Sequence, residues 1–361
     1  MINNTFNSPL FSVTLAMRAP TYPYGGGAGP FGGKTQIFKR SYSSSAKPSS
    51  SLVKSNTLNK VTSEKSPMDP WFVTGLIDAE GSFTVSVLKS SYTKTGWAVN
   101  ARFKITAHIA DLDLILNLKN FFGEDIGKIV IFKDTCTYRV DKLKDILEVI
   151  IPHFDKHPLA TQKLADYILF KEIISLMKNK EHLTLDGLNK ILSYKASLNL
   201  GLSEELKEKF SKIEAVKRPL IINKDIPSPF WVAGFSTGDG SFYLVIRANE
   251  LNKIPRTDIG FSVTQHARDT LLLEKFITFF NCGRIKKDSR HSVHYYVVTN
   301  IKDITAKIIP FFNKYNTKGV KHLNFADWCE GAEVLKRKAH LSKEGVEHIR
   351  TIQSRMNSKR S

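Results

Sequence analysis

The sequence predicts an α+β protein of two pseudo-symmetric halves, each ordered αββαββα. Each half carries one concave antiparallel sheet, and the halves pack through a pair of matched helices. Three observations carry this. The stretch Trp71-Phe72-Val73-Thr74-Gly75-Leu76-Ile77-Asp78-Ala79-Glu80-Gly81-Ser82-Phe83 recurs as Phe230-Trp231-Val232-Ala233-Gly234-Phe235-Ser236-Thr237-Gly238-Asp239-Gly240-Ser241-Phe242. Gly75 aligns with Gly234 and Glu80 with Asp239 at an offset of 159; Phe103, His108 and Asp111 then align with Phe261, His266 and Asp269 at 158. After each recurring stretch, apolar and polar residues alternate with the period of a half-buried strand. A register kept this long is an internal repeat, and it has to be settled before any fold reasoning.

In chain order, residues 1–66 stand apart. They contain no acid before Glu64, seven Lys or Arg ahead of it, and much Ser, Gly and Pro. Such a segment resembles a mitochondrial transit peptide, and its composition does not support a core. The first half spans 67–215 and the second 229–361, with a linker at 216–228 broken by Pro219, Pro227 and Pro229. Each half opens with a short helix, at 70–80 and 229–239, made of apolar and small residues and ending in an acid and a glycine. A strand follows in which Phe83, Val85 and Val87 alternate with Ser82, Thr84 and Ser86, matched by Phe242, Leu244 and Ile246. A second strand turns Ala101, Phe103 and Ile105 inward, and its counterpart is 259–265. Asp111 and Asp269 stand where a helix begins, an acid placement that suits the helix dipole. Short strands are predicted at 127–132 and 135–141, matched at 284–288 and 293–299. Helices near 143–153, 158–179 and 184–193 close the first half.

Composition sets the chemistry. The chain has 361 residues, 53 Lys and Arg against 34 Asp and Glu, and a net charge of +19. Taking away the seven basic residues that precede Glu64 still leaves +12 on residues 64–361, so the leader does not explain the charge. A polyanionic partner, nucleic acid above all, accounts for it. No apolar run approaches the length of a membrane span. Cys136, Cys282 and Cys329 are scattered and lack the spacing of a disulfide framework or a zinc site. The duplicated acids are the chemical signal. Gly75, Ala79, Gly234 and Gly238 are small enough for the two short helices to approach closely, which would set Glu80 and Asp239 side by side at the end of the seam. Two carboxylates at two negative helix ends attract a cation, and without Cys or His nearby the ion is a hard one, Mg²⁺. Metals held this way suit phosphodiester hydrolysis.

The run Val73-Thr74-Gly75-Leu76-Ile77-Asp78-Ala79-Glu80-Gly81 resembles the signature of the LAGLIDADG homing endonucleases, and Val232 to Gly240 is a looser second copy. Residues 68–361 resemble the single-chain, two-motif enzymes encoded in fungal mitochondrial introns. The resemblance implies a monomer that cuts both strands of a long, degenerate, pseudo-palindromic DNA site. It implies that Glu80 and Asp239, with the adjoining Gly81 and Gly240, hold Mg²⁺, with Mn²⁺ or Ca²⁺ as substitutes in binding. Repeat-matched Lys163 and Lys321 sit at positions similar to the family's catalytic lysine, though phosphate contact or helix capping fits them equally. Gln265 fits too, but its counterpart is Ala107; Asp78 faces Thr237 in the alignment and reads as structural. On the strand faces opposite the core, DNA readers are expected at Ser82, Thr84, Ser86, Asn100, Arg102, Lys104 and Arg139, and at Ser241, Tyr243, Arg247, Ser262, Thr264, Lys286 and Tyr295. Lys89, Lys94, Lys253 and Lys287 would position phosphates. His108 and His266 read as packing or hydrogen-bonding residues. Some family members assist group I intron splicing as maturases, so intron RNA stays open as a partner, as does DNA binding without cleavage. The resemblance and the leader place the protein in the mitochondrion.

Overall fold

A computed structural model describes residues 68–222, 225–248, 254–288 and 291–357, so the leader 1–66 and Lys253 lie outside the described residues. The first half opens with α1 (Pro70–Glu80), entered through Asp69, whose carboxylate accepts the Trp71 N–H, and through a proline at the first helical position. It continues as β1 (Gly81–Lys89), β2 (Trp97–His108), α2 (Leu112–Phe122), β3 (Lys128–Phe132) and β4 (Thr135–Val140). A helix then opens as α3 (Leu143–Asp145), widens into a π turn at Ile146–Ile150 and runs on as α4 (Ile151–Lys156). Helices α5 (Lys163–Lys178), α6 (Leu185–Ser197) and α7 (Glu204–Lys209) complete it.

The second half repeats the order: α8 (Pro229–Asp239), β5 (Gly240–Arg247), β6 (Arg256–His266), α9 (Thr270–Phe280), β7 (Arg284–Lys287) and β8 (Val293–Val298). There follow α10 (Ile301–Asp303), a π turn at Ile304–Ile308, α11 (Ile309–Lys314), α12 (Val320–Lys336) and α13 (Lys343–Ser354). The predicted helix at 158–179 begins five residues late, at Lys163. Pro158 lies in a turn whose Ala160 and Thr161 N–H groups donate to Asp78 instead of to a helix. The short helix α7 was not foreseen.

Each half holds a four-stranded antiparallel sheet, ordered β1-β2-β4-β3 and β5-β6-β8-β7. Phe83 pairs with Phe103 and Phe242 with Phe261, so the shift from 159 to 158 falls in the β1–β2 and β5–β6 hairpins, as expected. One face of each sheet packs on the helices. Phe83, Phe103, Phe154, Phe170 and Tyr167 meet edge to face or tilted there; in the other half Phe242 stacks on Phe261 and meets Phe312, Phe325 and Trp328 edge to face or tilted. Asn199 and Asn357, both left-handed and 158 residues apart, tie the closing segments to the first strands by donating to the Phe83 and Phe242 carbonyls at 2.7 and 3.0 Å. Among the described residues no helix is long and apolar enough to cross a membrane.

The halves join along α1 and α8. A Cβ at Gly75 would stand 2.1 Å from the Trp231 carbonyl oxygen, and one at Gly234 would stand 2.0 Å from that of Phe72. A Cβ at Gly238 would stand 2.5 Å from Cβ of Ala79. All four residues predicted for the interface are in it, and the two glycines are there because backbone meets backbone. Gly75→Ala or Gly234→Ala therefore forces the helices apart. Each is expected to cost about 3 kcal/mol or more of stability, read as a lower urea midpoint.

Candidate functional site

Glu80 and Asp239 end the two paired helices, and Gly81 and Gly240 begin the two sheets. A side chain at either of these glycines would strike the last turn of its own helix: a Cβ at Gly81 lies 2.9 Å from the Ile77 oxygen and one at Gly240 lies 2.4 Å from the Ser236 oxygen. Helix passes into strand with no spare atoms, which fixes where each carboxylate projects. Gly238 leaves room for the Glu80 side chain, whose Oε1 would be 3.3 Å from a Cβ there. Glu80 is solvent-exposed and Asp239 half-buried. The protein around them still raises both carboxyls through burial; for Asp239 the Glu80 charge adds to this, and its pKa is pushed up to about 7.

Two lysines answer the two acids. Lys163 Nζ donates to the carbonyls of Ile77 at 2.8 Å and Ala79 at 3.2 Å, and Lys321 Nζ donates to the Gly240 carbonyl. Each ammonium thus sits on the negative end of a motif helix. Burial pushes both lysines down, while the nearby acids, Glu80 and Asp239 in both cases, pull the other way. Each Nζ lies on the end of a motif helix and not on the lysine's own helix. Gln265 Nε2 donates to Asp239, and among the described residues the matching position, Ala107, offers Glu80 no such donor. The Gly240 carbonyl assigned to the metal already accepts from Lys321.

Asp78 faces Lys163 electrostatically, but its hydrogen bonds are structural. Its buried carboxylate accepts from Ala160 N, Thr161 N, Thr161 Oγ1 and, across the seam, Trp231 Nε1 at 2.8 Å. At the matched place Thr237 Oγ1 accepts from Lys318 N at 3.3 Å. The position holds a turn in both halves, so the structural reading of Asp78 stands.

Asp111 and Asp269 do something the sequence reading missed. Neither side chain caps its own helix. Asp111 accepts from Val320 N at 2.7 Å, and Asp269 accepts from Gln162 N at 2.8 Å. Each half thereby caps the lysine-bearing helix of the other, α12 and α5. The signal was present in the repeat-matched acids, but the partner lies 209 residues away in one case and 107 in the other, beyond any local pattern. His108 and His266 accept from Ala110 N and Arg268 N and turn the chain after β2 and β6, in keeping with a hydrogen-bonding role.

The expected DNA readers fall mainly where alternation put them. Ser82, Lys104 and Arg139 form one row across β1, β2 and β4, with Thr84 and Arg102, and Ser86 and Asn100, as the next pairs. Ser241 and Tyr243 lie on the equivalent face of β5, and Thr264, Tyr295 and Lys286 form a row across β6, β8 and β7. Ser262 is the exception. It occupies a central strand between Ser241 and Val297 and is 7% exposed, too buried for a reader. Arg102, Arg139 and Arg247 are not loose cations: Asp141 holds the first two and Asp258 the third.

The LAGLIDADG endonuclease family model matches residues 73–174 and 232–332, one copy per half. The chain belongs to the LAGLIDADG endonuclease family. It is a DNA endonuclease of the two-motif, intron-encoded type. A probable intron-encoded endonuclease of Neurospora crassa is 38% identical over 322 residues, covering 83% of this chain and 70% of the relative. The crystal structure of the homing endonuclease I-SmaMI bound to cleaved DNA is 47% identical with a TM-score of 0.79, covering 81% of this chain and 98% of that one. I-LtrWI bound to target DNA is 39% identical with a TM-score of 0.78, covering 81% of this chain and 98% of that one. Members of this LAGLIDADG family are metal-dependent, and I-SmaMI has been solved on uncleaved DNA with calcium ions. The relatives include intron-encoded proteins of fungal mitochondrial genes.

Because the folded Asp239 holds its proton up to about pH 7 while an unfolded aspartate releases it near 3.8, the folded state binds more protons between those values. Its contribution favours folding at low pH and is lost as pH rises through about 7. In metal-free buffer, Asp239→Asn is expected to raise the urea midpoint at pH 8 and to change it little at pH 4. A midpoint lowered equally at both pH values would contradict the account.

Proposed function

We propose that this chain cuts both strands of a long, degenerate, pseudo-palindromic DNA site as a monomer, with Glu80 and Asp239 holding Mg²⁺ at the two scissile phosphates. The observation that carries the reading is the pair of carboxylates delivered to one place by two helices in backbone contact. Their fit to a metal follows from their charge. Without a cation, burial and mutual repulsion keep Asp239 partly protonated at neutral pH. A hard divalent ion held by the two acids would relieve that repulsion. Among the described residues no cluster of three or more His, Cys, Asp or Glu forms a metal cage. That suits Mg²⁺, which keeps water and phosphate oxygens in its shell. When bound, the metal supplies Lewis-acid stabilisation of the leaving oxygen and a more acidic water.

The remaining work falls to this chain's own residues. The two carboxylates would hold the metal in their ionised form. Lys163 and Lys321 neutralise the helix ends behind the acids and stand ready to offer positive charge to a phosphate or to water near it. Gln265 orients the Asp239 carboxylate, and because Ala107 offers nothing to Glu80, the two cleavage events should differ in rate. The sheet faces turned away from the core read bases, and their differing residues ask for unlike half-sites. Relatives encoded in fungal mitochondrial introns, together with the basic leader, support action in the mitochondrion.

Cleavage of a randomised DNA library by the purified chain in Mg²⁺ tests the activity and yields the site. On that site Glu80→Gln and Asp239→Asn are each expected to lower cleavage by at least about a thousandfold while binding changes by less than about threefold. Undiminished cutting by either variant would remove that acid from the mechanism. Replacing Mg²⁺ by Ca²⁺ should retain binding and arrest cutting, read by gel shift and nicking on one sample.

A further inference from the structure

The base-facing side of each sheet carries an acid, which is costly on a surface meant for phosphates. In the first half, Asp141 follows β4, accepts from Arg102 Nε, and forms an ion pair with Arg139, whose Nε lies 3.2 Å away without a hydrogen bond. In the second half, Asp258 in β6 pairs with Arg247 Nε and Arg256 Nε, both at 2.9 Å. Each half thus holds two arginines on one carboxylate. Arg247 and Arg256 stand directly opposite each other across β5 and β6, a like-charge pairing that a sheet tolerates poorly without the acid.

The repeat makes these groups informative. The catalytic acids, the capping lysines and the core phenylalanines are all duplicated. None of these six residues is. Counterparts in the sheet registers are Gly260 for Arg102, Val297 for Arg139 and Thr299 for Asp141. Asn100 stands for Asp258, Leu88 for Arg247 and Ala98 for Arg256. The same arrangement of one acid and two arginines has been built twice from unrelated positions, so the shared fold does not require it. What the two sheets share beyond the fold is the task of reading bases.

We propose that Asp141 and Asp258 are positioning residues for specificity: Asp141 locks the Arg102 fork, and Asp258 the Arg247 and Arg256 forks, in the orientation that reads guanine edges, and each acid repels phosphate on every sequence alike. This rests on the reading of these faces as the DNA-contacting ones. An arginine bonds guanine O6 and N7 through its planar fork, and a carboxylate on Nε sets that plane without taking up the whole fork. The acid's repulsion is the same on every sequence, so it weakens non-specific binding, while a matched guanine recovers the loss. The groups sit at different places on the two sheets. Arg102 lies two residues from the Ser82–Lys104 pair beside the catalytic end, whereas Arg247 and Arg256 lie at the far end of their hairpin. The unlike half-sites should therefore be strict at different distances from the cut.

The repeat also supplies conservative variants, since Thr299 and Asn100 already occupy the matching positions. Asp141→Thr and Asp258→Asn are measured in the full chain with Ca²⁺, against the site selected by the wild type, every single-base substitution of it, and a random duplex of equal length. Each variant is expected to bind the random duplex about threefold tighter or more. Discrimination should fall about fivefold or more at the one or two G·C pairs under its arginines, and nowhere else. Arg102→Lys, which keeps charge but not the fork, should lose the same discrimination as Asp141→Thr without gaining affinity for the random duplex. Discrimination unchanged at every position in either acid variant overturns the proposal for that acid, whatever happens to affinity. A wild-type chain that selects no duplex sequence at all would instead overturn the reading of the faces themselves.

Discussion

Two helices touching through bare backbone determine everything else in this molecule. Gly75 lies on the Trp231 carbonyl and Gly234 on that of Phe72, so the axes come closer than any pair with side chains between them. Because each helix runs without a loop into the first strand of its sheet, one contact places the acids, the strand starts and both sheets. The acids end up side by side, and burial first, with the Glu80 charge added to it, pushes the Asp239 carboxyl up to about 7. A stable seam and a strained charge pair come from the same few residues.

Much of this was legible in the residues because the chain is written twice. Glu80 and Asp239 stood out since their slot survives the comparison of halves, and Asp78 dropped out since Thr237 replaces it. Strand faces followed from alternation, and the register of Phe83 with Phe103 matched. What escaped was of another kind. The late start of α5 depends on Asp78 holding the N–H groups of a turn, a contact across more than 80 residues. Asp111 and Asp269 looked like caps for their own helices, and a local rule placed them there; a distant helix end took their hydrogen bonds instead. Ser262 alternates correctly but sits mid-sheet, where neighbours on both sides cover it. Period tells which way a side chain points, not what stands over it.

The same distinction applies to the arginines. Counted by charge, they are part of a basic surface. Seen with Asp141 and Asp258, they are restrained groups on a surface that is less positive than it would be with threonine and asparagine there. Affinity for a polyanion is easily supplied by the chain's charge. Acids retained on such a face make sense when the demand is for choosing among sequences.

The hydrogen bond from Trp231 to Asp78 has a further consequence. The residue matching Trp231 in the first half is Phe72, which has no N–H, and the residue matching Asp78 in the second half is Thr237. Two copies of the first half, brought together along the same seam, would set Asp78 against a ring with nothing to donate. Two copies of the second would set the indole N–H against a neutral hydroxyl that already accepts from Lys318 N, in place of a carboxylate. Each like pair loses what the unlike pair gains. A single buried bond thus tells the halves apart, and separated as two chains they would sort into mixed pairs.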